Sequence, residues 1–362
     1  MTAPADAART PSSLVGCSAE EIAGLPVLAD QPAFRGRQIA SWIYRRGATE
    51  FSAMTNLSGA LRARLAQAYS LERLSILSVR VSRDASAHKF LFATPEGRAI
   101  EAVWIRAPER DTICVSTQVG CAYGCRFCAT GAMGWQRDLN PHEILSQVLV
   151  IRDALRRLGS LGFFNLVFMG MGEPLGNYDA LVRSIRVLQD DFGLGVGRRR
   201  ITVSTVGLPE RIRQLAGERV AVRLALSLNA TENETRSDLM PVNRRYPIEA
   251  VLPALVEYRE RTGNRVTFEY VLIDGVNDSL EDARRLARMA RQVRCKVNLI
   301  RFNAHPLTSL RATPPERIQA FYREMLPIAP TVTIRESRGE DILAACGQLS
   351  TAYSAGGAGT AG

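Results

Sequence analysis

A chain of 362 residues, 46% hydrophobic and 23% charged, is long enough for two or so domains with at least one full core, and its composition excludes disordered and fibrous classes. Its net charge of +10 suits a polyanionic partner, since clustered Lys and Arg gain affinity by releasing counterions from phosphates. No apolar run approaches the ~18 residues of a membrane span, and the opening M-T-A-P-A-D-A-A-R-T lacks a secretory core, so a cytoplasmic protein with reduced thiols is expected.

Residues 1–17 read as a disordered leader, and 18–73 as a small helical accessory module. In F-R-G-R-Q-I-A-S-W-I-Y-R-R-G, helical spacing places Phe34, Gln38 or Ile39, Trp42 and Ile43 on one face and Arg35, Arg37, Arg45 and Arg46 largely on the other, with Gly47 as C-cap. Asn56 or Ser58 opens a second helix carrying Leu61, Leu65 and Ala68. Such a module is either a structural cap with a solvated basic face or an RNA-docking domain.

Residues 74–110 form a short antiparallel β extension, with strands at 74–82, 87–93 and 98–105 and a turn at Thr94-Pro95-Glu96-Gly97. In the third strand Glu101 shares a face with Ala99, Val103 and Ile105, while Ile100, Ala102 and Trp104 take the other. A strand glutamate ordinarily faces water. A covered one with a raised pKa can act as a base.

From Thr112, strands at 112–117, 164–169, 201–205, 221–227, 266–272, 296–300 and 331–335 alternate with helices, two of them punctuated by Asn140-Pro141-His142-Glu143 and Asp278-Ser279-Leu280-Glu281. Six β-α units and a seventh strand imply an α/β fold with a parallel barrel or partial barrel over 111–346, followed by a mostly disordered tail over 347–362. Chemistry in barrels sits after the strands. The cysteine loop, Met169–Pro174, Ser204-Thr205, Ser227–Asn229, Asp274–Asn277, Asn303 and Cys346 all fall there.

The densest of these groups is C-A-Y-G-C-R-F-C, Cys121 to Cys128, a C-x3-C-x2-C triplet. Seven cysteines without a secretory signal argue against a disulfide framework. Soft thiolates select zinc, copper(I) or iron–sulfur centres. Either Cys114 supplies a fourth zinc ligand, or three thiolates hold a cluster that keeps one iron open. The glycine run 193–197 precedes a strand and so carries no dinucleotide fingerprint, and Arg198-Arg199-Arg200 enters its strand from the end away from the rim. His305 lies near the rim and reads as a local turn residue, and Cys17 and Cys295 match no pattern.

The string C-V-S-T-Q-V-G-C-A-Y-G-C-R-F-C-A-T-G, Cys114 to Gly131, resembles the cluster loop of radical S-adenosylmethionine (SAM) enzymes and, within them, the RlmN/Cfr branch that methylates adenosine in ribosomal RNA. The resemblance runs over about residues 20–349 and implies an open (βα)6 barrel. Cys121, Cys125 and Cys128 would hold a [4Fe–4S] cluster whose fourth iron binds SAM. Gly172 and Glu173 would meet the SAM amino group, and Ser204, Ser227, Leu228, Asn229 and Asn303 its ribose, adenine or carboxylate. Relatives often carry histidine where this chain has Asn229.

The same resemblance makes Cys346 the methyl carrier, Cys114 its disulfide partner and Glu101 the proton acceptor, with two SAM molecules used per turnover and a covalent protein–RNA adduct between them. It implies C2 methylation of adenosine in 23S rRNA and in tRNA by a monomer reduced by a flavodoxin-like system. Two alternatives stand beside it: Cfr-like C8 methylation conferring antibiotic resistance, and a zinc-stabilised RNA-binding module without catalysis.

Overall fold

The computed structural model describes residues 12–107, 110–159 and 163–351; the expected leader through residue 11 and the tail from residue 352 lie outside the described residues. Near the N-terminus, Ser18 and Glu21 form a reciprocal capping box for helix Ala19–Ala23. Helix Phe34–Ser41 continues into a π turn, Trp42–Arg46, which ends at Gly47 in the left-handed region with φ 76°. Ile39, Ile43 and Tyr44 are fully buried, whereas Phe34 is 48% exposed beneath the Arg35 guanidinium rather than in the core. Ser58 caps helix Gly59–Ala68, which buries Leu61 and Leu65; Ala68 lies in the last turn and stays exposed.

This module is fastened to the long helix Pro141–Arg157 by polar contacts at its own helix end. Arg73 bridges Asp153 at 2.6 Å and the Gly47 carbonyl at 2.9 Å, and the Arg152 guanidinium donates to the Tyr44 carbonyl. The carbonyls left over at a helix C-terminus attract cations in this way.

The main sheet has ten strands: β1 (Ser75–Val81), β2 (Ala87–Ala93), β3 (Ala99–Ile105), β4 (Asp111–Cys114), β5 (Phe164–Phe168), β6 (Ile201–Thr205), β7 (Arg223–Ser227), β8 (Val266–Leu272), β9 (Lys296–Arg301) and β10 (Thr331–Arg335). They lie side by side in chain order, antiparallel from β1 to β4 and parallel from β4 to β10. Helices connect each parallel strand to the next, so six β-α units build a partial barrel, and β10 does not pair with β4. The β extension is thus a continuation of the barrel sheet. β1 is its edge and is exposed along nearly its whole length.

The parallel strands are apolar on both faces because helices cover one and the barrel interior the other. Asn140 and Glu143 form the expected capping box, with Pro141 at the first helical position. The second box is shifted: Ser279 caps Leu280–Val293 by accepting from Asp282 N–H, and Glu281 pairs with Arg284 and Arg288 on the surface. Among the described residues no helix is long and apolar enough to cross a membrane.

Past β10 the chain turns back over the rim through Glu340–Ile342 and the segment bearing Cys346. Gly347–Ser350, expected to begin a disordered tail, are packed: Gln348, Leu349 and Ser350 are 5% exposed or less. Their backbone explains this. Gly347 and Leu349 carbonyls accept from the Ala129 N–H and the Thr130 hydroxyl, so these two backbone groups are satisfied inside the molecule.

Candidate active site

The C-terminal ends of the parallel strands enclose a cavity of about 150 Å³, where one water needs only ~10–15 Å³. Its wall brings together Cys121, Cys125 and Cys128 from the loop after β4, Gly172 and Glu173 after β5, Ser204 of β6, Ser227 and Asn229 at the end of β7, and Cys346. Residues more than 200 positions apart therefore share one space because parallel strands all point their C-terminal ends the same way.

Burial pushes the thiol of Cys121 up to about 12 and raises Cys125 and Cys128 as well, and repulsion from Cys121 and Cys128 adds to the effect at Cys125. Three thiols this close, held neutral by desolvation, give up protons readily only to a cation placed among them. Among the described residues no three His, Cys, Asp or Glu side chains are already drawn into a metal cage. The donor set nonetheless fits a soft centre: three thiols on one wall, with the rest of the cavity open for a fourth ligand. Arg236, fully buried, donates to the carbonyls of Leu228 and Val206 and to Asn243 Oδ1, and it lies near enough to Cys125 to favour its thiolate.

Gly172 adopts φ 94°, and a Cβ there would fall 2.5 Å from Gln118 Cβ, so the turn needs glycine. That turn delivers Glu173, whose carboxylate accepts from Val206 N–H at 2.8 Å and Leu175 N–H at 3.1 Å. Burial outweighs these donors and lifts its pKa to about 7. The hydroxyls of Ser204 and Ser227 are 3.4 Å apart at the cavity edge. Asn229 sits at φ 55°, a conformation asparagine tolerates well. Its side-chain oxygen accepts from Val271 N–H at 3.0 Å and its amide faces Met240 Sδ, so its polar atoms serve the wall as well as the cavity.

Not every expected residue lines this space. Leu228 is buried and outside the lining, and Asn303 holds the Cys346 carbonyl at 3.1 Å instead. Asp274–Asn277 follows β8 but does not line this cavity; Asn277 supports it by donating to the Asn229 carbonyl at 2.7 Å. His305 packs on Phe302 with Nε2 3.3 Å from the Phe127 carbonyl, bracing the cysteine loop.

A second cavity, about 400 Å³, adjoins the first and shares Met169, Ile300, Arg335, Cys346 and Leu349 with it. Cys114 faces this space and Cys346 faces both. Burial pushes the Cys114 thiol up to about 12, with Cys346 adding to the rise. Arg335, buried at the end of β10, has its charge reinforced chiefly by Cys346, then by Glu269 and Cys114. Glu101 lines neither cavity. It is fully buried behind the Cys346 segment, where it pairs with Lys89 at 3.0 Å. Arg335, Arg236, Glu269 and Lys89 carried no motif in the sequence. Lys89 alone gave a signal, a cation among apolar strand residues beside a strand with a glutamate.

A partial parallel barrel with three thiols, a Gly-Glu turn and a hydroxyl pair around one rim cavity is the architecture of the radical SAM enzymes, and residues 115–287 match the Radical SAM superfamily. Residues 13–71 match the ribosomal RNA large subunit methyltransferase N-terminal domain. Over 329 residues the chain is 46% identical to the dual-specificity RNA methyltransferase RlmN of Anaeromyxobacter sp. (strain Fw109-5), covering 89% of this chain and 86% of that one. It is 44% identical over 321 residues to the RlmN of Syntrophobacter fumaroxidans, covering 88% and 92%. The crystal structure of a radical SAM methyltransferase from Sphaerobacter thermophilus superposes with a TM-score of 0.89 at 45% identity, covering 94% of this chain and 99% of that one. The chain belongs to the RlmN family of radical SAM RNA methyltransferases. Membership implies SAM and a [4Fe–4S] cluster as cofactors, and these matches favour neither C8 methylation nor a zinc module.

Proposed function

We propose that this protein methylates C2 of adenosine in 23S rRNA and in tRNA, acting as a cytoplasmic monomer that draws electrons from a flavodoxin-like donor. The observation that carries this reading is the shared wall: Cys346 borders both the three-thiol cavity and the cavity that Cys114 faces. A methyl group on Cys346 would reach SAM on one side and a nucleobase on the other.

Cys121, Cys125 and Cys128 would hold the cluster, and Gly172, Glu173, Ser204, Ser227 and Asn229 would seat SAM. When bound, the cluster supplies the single electron that turns SAM into a source of radical chemistry. Two SAM molecules serve each turnover, one as methyl donor and one for that chemistry. The chain's own residues do the rest. Cys346, exposed on its turn, takes the methyl group on sulfur by nucleophilic displacement. The Arg335 charge favours the thiolate of Cys114 against the effect of burial. Glu101 would accept the ring proton once the Cys346 segment moves off it, since it lies behind that segment and lines neither cavity. The Cys114 thiolate then attacks the Cys346 sulfur, and the disulfide forms as the sulfur–carbon bond breaks. The electron pair of that bond passes into the base, and the methylene carbon takes a proton to become the methyl group. A dithiol reductant then returns both cysteines to thiols.

The test is nucleoside mass spectrometry on 23S rRNA lacking the modification, incubated anaerobically with cluster-reconstituted enzyme, SAM and reductant. 2-Methyladenosine supports the reading and 8-methyladenosine replaces its regiochemistry. Neither product, on rRNA or on tRNA, from enzyme with an intact cluster refutes it.

A further inference from the structure

The fully buried pair Lys89–Glu101 grips both ends of the segment that carries Cys346. Lys89 on β2 and Glu101 on β3 project from the same sheet face, because Lys89 lies opposite Val103 and Glu101 is two residues from it. Lys89 Nζ is 3.0 Å from Glu101 Oε1 and 3.3 Å from the Leu343 carbonyl. Glu101 Oε2 accepts from the Ser350 N–H at 2.9 Å. One charge thus anchors the chain three residues before Cys346 and the other anchors it four residues after. Both side chains are at most 2% exposed, so neither contact competes with water.

Two consequences follow from charge alone. A lysine buried at this point is stable only against a carboxylate, so Lys89 fixes which way Glu101 points. An ionised carboxylate only accepts hydrogen bonds, whereas a protonated one has an O–H that must donate. Loss of the Glu101 charge therefore weakens its hold on Lys89 and on the Ser350 N–H, although a neutral carboxyl keeps one acceptor oxygen.

We infer that Lys89 is a positioning residue, and that with Glu101 it forms a charge latch that holds residues 343–350, and with them Cys346, in place. The inference rests on the reading of Cys346 as the reacting thiol, but the tether itself is independent of the reading of Glu101 as proton acceptor.

The test is amide hydrogen exchange on anaerobic holoenzyme, comparing wild type with Lys89→Arg, Glu101→Gln and the Lys89→Met/Glu101→Gln double variant, which removes both charges without leaving one unpaired. Loss of a charge-assisted bond should speed exchange at 344–351 by about tenfold or more in the double variant and by less in Glu101→Gln. Lys89→Arg, which keeps the charge, should exchange more slowly at 344–351 than the double variant. Unchanged exchange at 344–351 in the double variant overturns the latch, as does faster exchange spread evenly over the barrel. Glu101→Gln that still methylates RNA at the wild-type rate refutes the base assignment, and the exchange data then decide the tether separately.

Discussion

Thr130 Oγ1 donates to the Leu349 carbonyl at 2.6 Å, fastening the helical turn after Cys128 to the segment after Cys346. The Cys121–Cys128 loop and the Cys346 segment are thereby one packed unit. Gly347 completes it, at φ 83° and so near the loop that a Cβ would meet the Phe127 carbonyl at 3.1 Å. Gly347→Ala should cost about 1–2 kcal/mol for the left-handed residue and shift Cys346 off its position, slowing methylation by up to ~10²-fold. Thr130→Val should cost about 1–3 kcal/mol by leaving the buried Leu349 carbonyl without that donor. Thermal unfolding and single-turnover methylation check both, and a Gly347→Ala enzyme at full rate would contradict the account.

The two rim thiols should separate by variant and by reactivity. Cys346→Ala should form no protein–RNA adduct, and Cys114→Ala should accumulate it as RNA retained by protein on a denaturing gel. Iodoacetamide should reach exposed Cys346 before Cys114, which is 7% exposed. Because burial raises the Cys114 thiol to about 12, its thiolate fraction near pH 8 is roughly 10⁻⁴, and labelling of cluster-loaded protein should climb about tenfold per pH unit toward that value. Fast labelling of Cys114 at neutral pH would show a different environment.

The sequence carried the barrel because its parallel strands are short apolar runs between capped helices. Val266–Leu272 and Ile201–Thr205 fall where alternating strand and helix periods put them. Several rim groups were legible for a related reason, since residues that end parallel strands share one end of the barrel, although Leu228, Asn303 and Asp274–Asn277 do not line its cavity. Contacts made by long side chains across distant positions were not. Arg335 reaching Cys346, Arg236 spanning Leu228 to Asn243, and Lys89 meeting Glu101 depend on rotamers and on which loop folds over the rim. Phe34 shows the same limit: helical period put it inward, but its helix starts at the edge of the core.

Docking of the N-terminal module turns on Arg73, which joins Asp153 and the Gly47 carbonyl. Arg73→Met should lower stability by about 1–3 kcal/mol, the cost of losing hydrogen bonds to a charged group. If residues 18–73 contact RNA, the variant should weaken RNA binding and leave SAM binding unchanged, and titrations with each ligand read this directly. Equal loss of both affinities would mean that the barrel rim itself had been disturbed.

Glu173 predicts a pH slope. Burial raises its pKa from 4.5 to about 7 in spite of the Val206 and Leu175 donors. Between those values the unfolded chain has released the proton and the folded chain keeps it, so folding stability falls as pH rises from about 4.5 to 7 and levels off above. A shift of that size corresponds to about 3 kcal/mol across the interval. Glu173→Gln should flatten this part of the stability curve relative to wild type, and denaturant titrations at half-unit pH steps measure the difference. The same variant should bind SAM some ten- to hundredfold more weakly, because a carboxylate is the stronger acceptor for a ligand amino group. An unchanged slope would place the titration on another buried acid such as Glu269, which burial also raises.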